Sequence, residues 1–331
     1  MGAYRDAPRR VRRYLRVMEK FTLRGGKRFR ALCVLAGYHV ATGRAPDPAL
    51  PAASALEHFQ SWMLIHDDII DHGEKRRGGP TMHRELARWA RHPRSPGAAD
   101  YGTGLAITLG DLEEPFTVGA LLSCPVPLGA RLAALDEYRR MTQWTAYGQI
   151  LDIENGAWDP RAVTERDVRI VHRLKSAVYT VASPLAIGAL LGGWRPPQLA
   201  DLRRIALDLG VAFQLRDDVL GAGLSGGRLD KDANDLTEGK RTLLVVRALS
   251  TGTPRERAAV RAVLGNPRAS RTMIRRAQTA LQTSGSLAYS ERTISRLTRR
   301  ALGRLARSAT LPARSKPLIE EIADRLVHRT H

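Results

Sequence analysis

The chain has 331 residues, 43% of them hydrophobic and 5% aromatic, which is enough apolar matter for a sizeable core and too much for a disordered chain. Its 53 basic residues against 33 acidic give a formal charge of +20, so nucleic acid, anionic lipid and phosphorylated small molecules are all open as partners. Cys33 and Cys124 are too few for a disulfide framework, no apolar run approaches the roughly 20 residues of a bilayer span, and the basic N-terminus lacks a secretory apolar stretch, so the expected home is cytoplasmic.

A basic helix is expected over residues 8–20, ended by the turn at Gly25 and Gly26. The sequence GGKRFR then opens a helix to about Thr42, with Leu32, Cys33, Leu35 and Ala36 on its buried side. Glycines allow close backbone approach, and the N–H groups of a helix start favour anions. Cations in a first turn oppose the helix dipole, so Lys27, Arg28 and Arg30 read as an anion site. After a Pro-rich connection at 43–50 comes EHFQSWMLIHDDIIDHGEKRRGGPTMHR, Glu57 to Arg84. Its first half is mostly apolar and free of Gly and Pro as far as Gly73, which predicts a long, largely buried helix. Asp67 and Asp71 stand one turn apart on that helix. Like charges so placed repel by about 0.2–0.5 kcal/mol when exposed, and by more among neighbours such as Met63, Leu64, Ile65 and Ile70. A hard divalent cation reverses the sign, because Mg²⁺ takes carboxylate and phosphate oxygens together. The loop that follows, Lys75, Arg76, Arg77, Gly78 and Gly79, can meet anionic groups that the metal leaves.

A short helix from Thr81 to Ala90 leads into the loop RHPRSPG. The apolar stretch from Tyr101 to about Ser123 should be kinked or interrupted at Pro115, and Glu113 and Glu114 before it have no evident role. A helix from about Pro127 to Glu154 carries GQILDIE, with Gln149 and Asp152. After the loop NGAWDPRAV, Thr164 with Asp167 signals a new helix start. That helix holds Lys175, Ser176 and Tyr179 and runs through Pro184 to Leu191, where GGWRPP closes it. The next, from about Pro197 to Leu220, carries FQLRDD and a second acidic pair, Asp217 and Asp218. A Gly-rich loop, GAGLSGGRLDKDAND, contains Lys231, and Lys240 lies near the start of another helix. The C-terminal third reads as four or so shorter helices. Between Arg292 and Arg307 the arginines recur opposite Ile294, Leu297, Ala301 and Leu305, an amphipathic helix with a solvated Arg face or a peripheral contact with anionic lipid. With no β pattern, the expected class is all-α, as a single domain over residues 1–331.

Two helices with paired aspartates, ringed by Lys and Arg from separate segments, form a trap for metal-bound diphosphate. Lys175, Lys231 and Lys240 can complete a cage around a leaving diphosphate, while Lys27, Arg30 and Arg77 can hold a second anion. Two such sites facing one apolar tunnel fit a reaction between two diphosphate esters.

The motifs GGKRFR, EHFQ to DDIID, RRGGPT, GQILD, KSAVYT, FQLRDD and LTEGKRTLL agree in order and spacing with one family. Over roughly residues 15–325 the chain resembles the trans-isoprenyl diphosphate synthases, the polyprenyl synthetase family, and within it the short-chain geranylgeranyl and farnesyl diphosphate synthases. The resemblance implies a large all-α bundle around a central cavity, usually a homodimer. It implies Mg²⁺-dependent head-to-tail condensation of isopentenyl diphosphate with an allylic diphosphate. Asp67, Asp71 and Asp217 would bind up to three Mg²⁺ ions with the allylic diphosphate, with Asp68 and Asp218 as outer or alternate ligands. Arg76, Lys175, Lys231 and Lys240 would hold that diphosphate, and Lys27, Arg30, Gln60 and Arg77 would hold isopentenyl diphosphate. Lys175, Ser176 and Gln214 would serve catalysis, the last two facing the allylic cation.

Some positions depart from the family pattern. Gly221 stands where many members carry a third Asp, Ser176 replaces Thr while keeping the hydroxyl, and the unusual loop at 221–235 leaves the alignment of Lys231 open. Trp62 and Met63, a turn and more before Asp67, would point down the tunnel. At about 1.5 Å of rise per residue, a ring there would stop a growing chain within a few isoprene units. That favours a C15–C20 product, geranylgeranyl diphosphate ahead of farnesyl; plain core packing of Trp62 is the alternative. Rival functions are a class I terpene cyclase, which leaves GGKRFR, Gln60 and Arg77 without purpose, and a non-catalytic subunit of a synthase heteromer. Nucleic-acid binding fits the charge but not the paired carboxylates, and no basic–aromatic interleaving supports it.

Overall fold

A computed structural model describes residues 7–90, 92, 95, 97–224 and 234–327. Lys231 and most of its Gly-rich loop lie outside the described residues. The helices are α1 (Arg9–Leu23), α2 (Phe29–Thr42), α3 (Leu50–Ile70), α4 (Met82–Ala87), α5 (Gly97–Leu122), α6 (Leu128–Ala157) and α7 (Glu165–Val171). A π-helical run, His172–Ala182, continues α7 into α8 (Ser183–Leu191). Then come α9 (Ala200–Gly221), α10 (Asn234–Thr237), α11 (Leu243–Thr251), α12 (Pro254–Val263), α13 (Arg271–Thr283), α14 (Ser286–Arg307) and α15 (Lys316–Val327). The architecture is all-helical but for one small departure: Lys75–Arg76 pairs antiparallel with Gly79–Pro80 in the basic loop.

Some helix starts follow directly from sequence signals. Thr164 accepts the N–H of Asp167 and Asp167 returns a bond to the Thr164 N–H, the reciprocal cap that starts α7. Pro115, however, does not interrupt α5, which is helical throughout. Proline removes the bond to the carbonyl four residues back, Asp111, and both residues face solvent, where water can replace it. Glu113, beside that proline, is fully buried. It accepts from Thr22 of α1 at 2.8 Å and pairs with Nδ1 of His58 of α3 at 2.5 Å, tying three helices together. Leu32 departs from its expected burial and is 45% exposed, whereas Cys33 and Ala36 are core.

The π-helical run is the hub, packing against α2, α6 and α9, while α3 packs on α2 and α5. A β-carbon on Gly37 would come within 2.0 Å of the Leu185 carbonyl, and one on Gly188 within 1.9 Å of the Val34 carbonyl. Backbone therefore meets backbone where α2 crosses α8. The continuous helix Glu165–Leu191 is long and apolar enough to cross a bilayer, with mean hydropathy 1.4, but 78% of that window is buried inside the protein, as a core helix requires. The arginine stripe of α14 is not wholly solvated: Arg300 and Arg304 both bind the buried Asp208 of α9, at 2.8 Å and 2.6 Å. The apolar face opposite, Ile294, Leu297, Ala301 and Leu305, is buried as expected.

Candidate active site

Both acidic pairs occupy the last turn of a helix. Asp67 and Asp68 lie just before the end of α3 with Asp71 as its C-cap, and Asp217 and Asp218 lie just before the end of α9. The negative end of each helix dipole opposes carboxylates there, so neither pair serves helix stability. Burial raises the pKa of Asp71, with Asp67 and Glu238 adding to the rise and Lys240 and Lys175 opposing it. Asp67 and Asp71 make no side-chain hydrogen bond with another described residue. Asp68 differs. It is fully buried and accepts from Arg76 Nε at 2.8 Å, with a second contact from the same guanidinium. Two residues expected at the metal and at the diphosphate thus face each other.

On α9, Asp218 is buried, accepts from Gln214 at 2.8 Å and lies 3.0 Å from Nε2 of His172. Gln214, expected to face an allylic cation, is therefore held by Asp218. Lys175 Nζ reaches Asp152 of α6 at 2.6 Å. A β-carbon on Gly148 would lie 2.3 Å from the Lys175 nitrogen, so that glycine lets α6 close on the π-helical run and brings Asp152 within reach. Burial alone would lower the pKa of Lys175, but Asp67, Asp152 and Asp71 outweigh it and raise it. Lys240 lies 2.8 Å from both Asp235 and Glu238. Asp235 is raised by burial, with Lys240 opposing and Asp218 adding. Lys240 thus acts on Asp71 and on Asp235, and Asp235 in turn feels Asp218, so the ends of both acidic helices border one charged cluster. At Gly221 a β-carbon would fall 1.9 Å from Oδ2 of Asp235. The Asp235 carboxylate fills the space into which a third Asp of that helix would project.

The two glycine-bearing basic loops come together at one end. Arg28 is left-handed (φ 51°), pairs with Glu57 and donates to the Thr22 and Arg24 carbonyls at 3.0 Å, closing the end of α1. The Arg77 guanidinium packs on Gly26 and donates to the Arg24 carbonyl at 3.3 Å; burial, then Arg28, lowers its pKa. Lys27 is exposed on the same turn. Arg30 lies over the Tyr179 ring at 4.0 Å and donates to Thr180 at 2.9 Å, leaving its Nε buried without a hydrogen-bond partner among the described residues. The Tyr179 hydroxyl donates to Gln60 at 2.8 Å. Tyr179 thus joins Arg30 to Gln60; its place in KSAVYT was the only sequence signal for it.

Below Asp67, Trp62 and Met63 are half-buried. Trp62 packs edge-on to Phe59 (5.7 Å), and Phe59, fully buried, stands edge-on to Tyr138 (5.7 Å) and Tyr179 (5.6 Å). Trp62, expected at a tunnel floor, thus belongs to an aromatic cluster with Phe59, Tyr138 and Tyr179. Ser176 is buried on the π-helical run. Among the described residues no group of three or more His, Cys, Asp and Glu gathers closely enough to hold a metal alone. The candidate donors are carboxylate oxygens from two helices, a set that would suit a hard cation completing its shell with phosphates and water rather than in an all-protein cage.

The chain is similar to known proteins over most of its length. A family model described as polyprenyl synthetase matches residues 11–281. A geranylgeranyl diphosphate synthase of Sulfolobus acidocaldarius is 30% identical over 75% of this chain and 70% of its own. A geranylfarnesyl diphosphate synthase of Aeropyrum pernix is 30% identical over 92% of this chain and 91% of its own. Among solved structures, the geranylgeranyl pyrophosphate synthase of Corynebacterium glutamicum, complexed with isoprenyl diphosphate and magnesium, superimposes with a TM-score of 0.87 at 31% identity, covering 97% of this chain and 91% of its own.

Proposed function

The chain belongs to the polyprenyl synthetase family, and from that premise we propose that it condenses isopentenyl diphosphate head-to-tail with an allylic diphosphate into an all-trans product of C15–C20, geranylgeranyl diphosphate foremost. One observation carries the reading. Lys175 and Lys240, from distant segments, share an electrostatic environment with Asp67 and Asp71. Asp67, Asp71 and Asp217 would hold Mg²⁺, which supplies charge neutralisation for a departing diphosphate.

Lys175 and Lys240 are the chain's own contribution to that leaving group. They pair with Asp152, Asp235 and Glu238, and a diphosphate would compete with those carboxylates for them. Arg30, whose Nε is unpartnered, would hold isopentenyl diphosphate with Lys27, Gln60 and Arg77. Tyr179 holds Arg30 and Gln60 in fixed positions, which would leave little orientation to be done on binding. Arg76 would steady the allylic site through Asp68. The Ser176 hydroxyl and the aromatic floor would face the allylic cation, where ring quadrupoles favour positive charge. The proton lost after attack would go to the departing diphosphate. Leu128, Leu132, Ile150 and Ile153 form an exposed apolar face on α6 suited to a homodimer.

The test is purified protein with Mg²⁺, isopentenyl diphosphate and each allylic diphosphate in turn, with products read by chain length. Consumption of isopentenyl diphosphate into C15–C20 products is the expected result. A cyclised hydrocarbon formed without isopentenyl diphosphate would overturn the proposal.

A further inference from the structure

A groove of about 390 Å³ runs between α6, the π-helical run and α9, on a side of that run other than the one bearing Lys175 and Tyr179. Its size falls within the roughly 300–1,000 Å³ usual for small-molecule sites. The wall is apolar: Ile170, Leu174, Val178 and Ala182 recur every four residues along one helix face, with Trp144 and Leu207 opposite. At the base, Glu137 is 3% exposed and fully answered, accepting from Ser183 at 2.7 Å and from Arg203 at 2.8 Å and 2.5 Å. Arg140 and Arg173 stand exposed on the lining and make no hydrogen bond or ion pair with another described residue. The groove therefore combines a greasy wall with two uncommitted guanidinium groups and an internally neutralised base.

It is also separate from the apolar face of α6 assigned above to dimerisation. At 100° per residue, Leu128, Leu132, Ile150 and Ile153 lie about 120–180° round the helix from Trp144. We propose that this groove is a second, non-catalytic binding site for an amphiphilic prenyl diphosphate, the isoprenoid tail on the Trp144–Leu174–Val178 wall and the diphosphate on Arg140 and Arg173. Planar guanidinium groups match phosphate oxygens in paired hydrogen bonds, and the apolar wall rewards a long tail over a bare anion. Which tail is naturally present rests on the proposed prenyl transfer; the site chemistry does not.

Chelation removes the metal-dependent allylic site, and variants of the groove separate its binding from any on the basic residues Lys27, Arg30 and Arg77. The experiment is calorimetric titration of the full-length protein with non-cleavable geranylgeranyl S-thiolodiphosphate in excess chelator. The expected result is one ligand bound per chain. The double variant Arg140→Glu/Arg173→Glu should weaken that binding about tenfold or more, the scale of two lost charge-assisted contacts. Its consumption of isopentenyl diphosphate should be unchanged. Trp144→Ala, which keeps both charges, should weaken binding of the full ligand but not of inorganic diphosphate. Prenyl alcohol and inorganic diphosphate should each bind far more weakly than the amphiphile. Absence of chelator-resistant binding, including by burial of the groove in an oligomer, overturns the proposal, as does binding indifferent to the double variant. Chelator-resistant binding that the double variant weakens, in a protein that consumes no isopentenyl diphosphate, would uphold the groove and sink the catalytic reading.

Discussion

Removing Arg76 should cost more stability than removing Asp68, although the two form one ion pair. The carboxylate is fully buried while the Arg76 side chain is 36% exposed. Arg76→Met therefore strands a buried charge whose second oxygen already lacks a partner. Breaking a buried pair from one side costs about 3–5 kcal/mol, and solvent around the half-exposed guanidinium discounts this to about 2–3 kcal/mol. Asp68→Asn keeps an acceptor oxygen and leaves Arg76 in reach of water, so about 1 kcal/mol is expected. Burial already holds the Asp68 pKa above the ordinary carboxylate range, against the Arg76 bonds that lower it. With Arg76 gone it rises further. A carboxyl whose folded pKa is raised contributes most to stability at low pH and loses that contribution as pH climbs through the folded value. The Arg76→Met penalty should accordingly shrink on acidification from neutral pH. Urea unfolding of both variants without Mg²⁺, at one protein concentration and with unchanged slopes, measures the two costs. Equal penalties, or an Arg76→Met penalty under about 1 kcal/mol, would refute the reasoning that Asp68 is bound to Arg76 rather than kept for metal.

Asp67→Ala should cut turnover by about a thousandfold or more while leaving the urea midpoint unlowered, since it relieves repulsion on Asp71; unchanged turnover would exclude its role at the metal. Trp62→Ala should lengthen the product, and an identical product distribution would place the floor deeper, at Phe59. Because burial raises the Asp71 pKa and metal takes the ionised carboxylate, divalent-ion affinity should begin to fall at a pH above the usual Asp value of about 3.9. A Mn²⁺ titration followed by electron spin resonance across pH tests this, and a loss setting in only below about 3.9 would contradict it.

Much of the helical pattern was legible because periodicity and caps act locally: Thr164 with Asp167, and the α14 stripe of Ile294, Leu297, Ala301 and Leu305. What escaped depends on tertiary contact. Pro115 follows a breaker rule that assumes no water to take the freed carbonyl. Glu113 has a purpose only once Thr22 and His58 converge on it. The aspartates look alike along the chain, yet burial commits Asp68 to Arg76 and Asp218 to Gln214 and His172, leaving Asp67 and Asp71 without such bonds. Gly221 reads as a missing ligand until Asp235 is found lying against it. Tyr179 joins α2 to α3 through contacts with Arg30 and Gln60, each more than a hundred residues away in sequence, which no local pattern encodes.

The most direct measurement is a crystal structure of the protein with Mg²⁺ and a non-cleavable allylic thiolodiphosphate. The account predicts metal bridging the thiolodiphosphate to Asp67 and Asp71 on one side and Asp217 on the other, with Lys175 and Lys240 moved off their carboxylate partners onto its oxygens. Thiolodiphosphate bound by metal to one acidic helix alone, with Lys175 still on Asp152 and Lys240 still on Asp235, would contradict it.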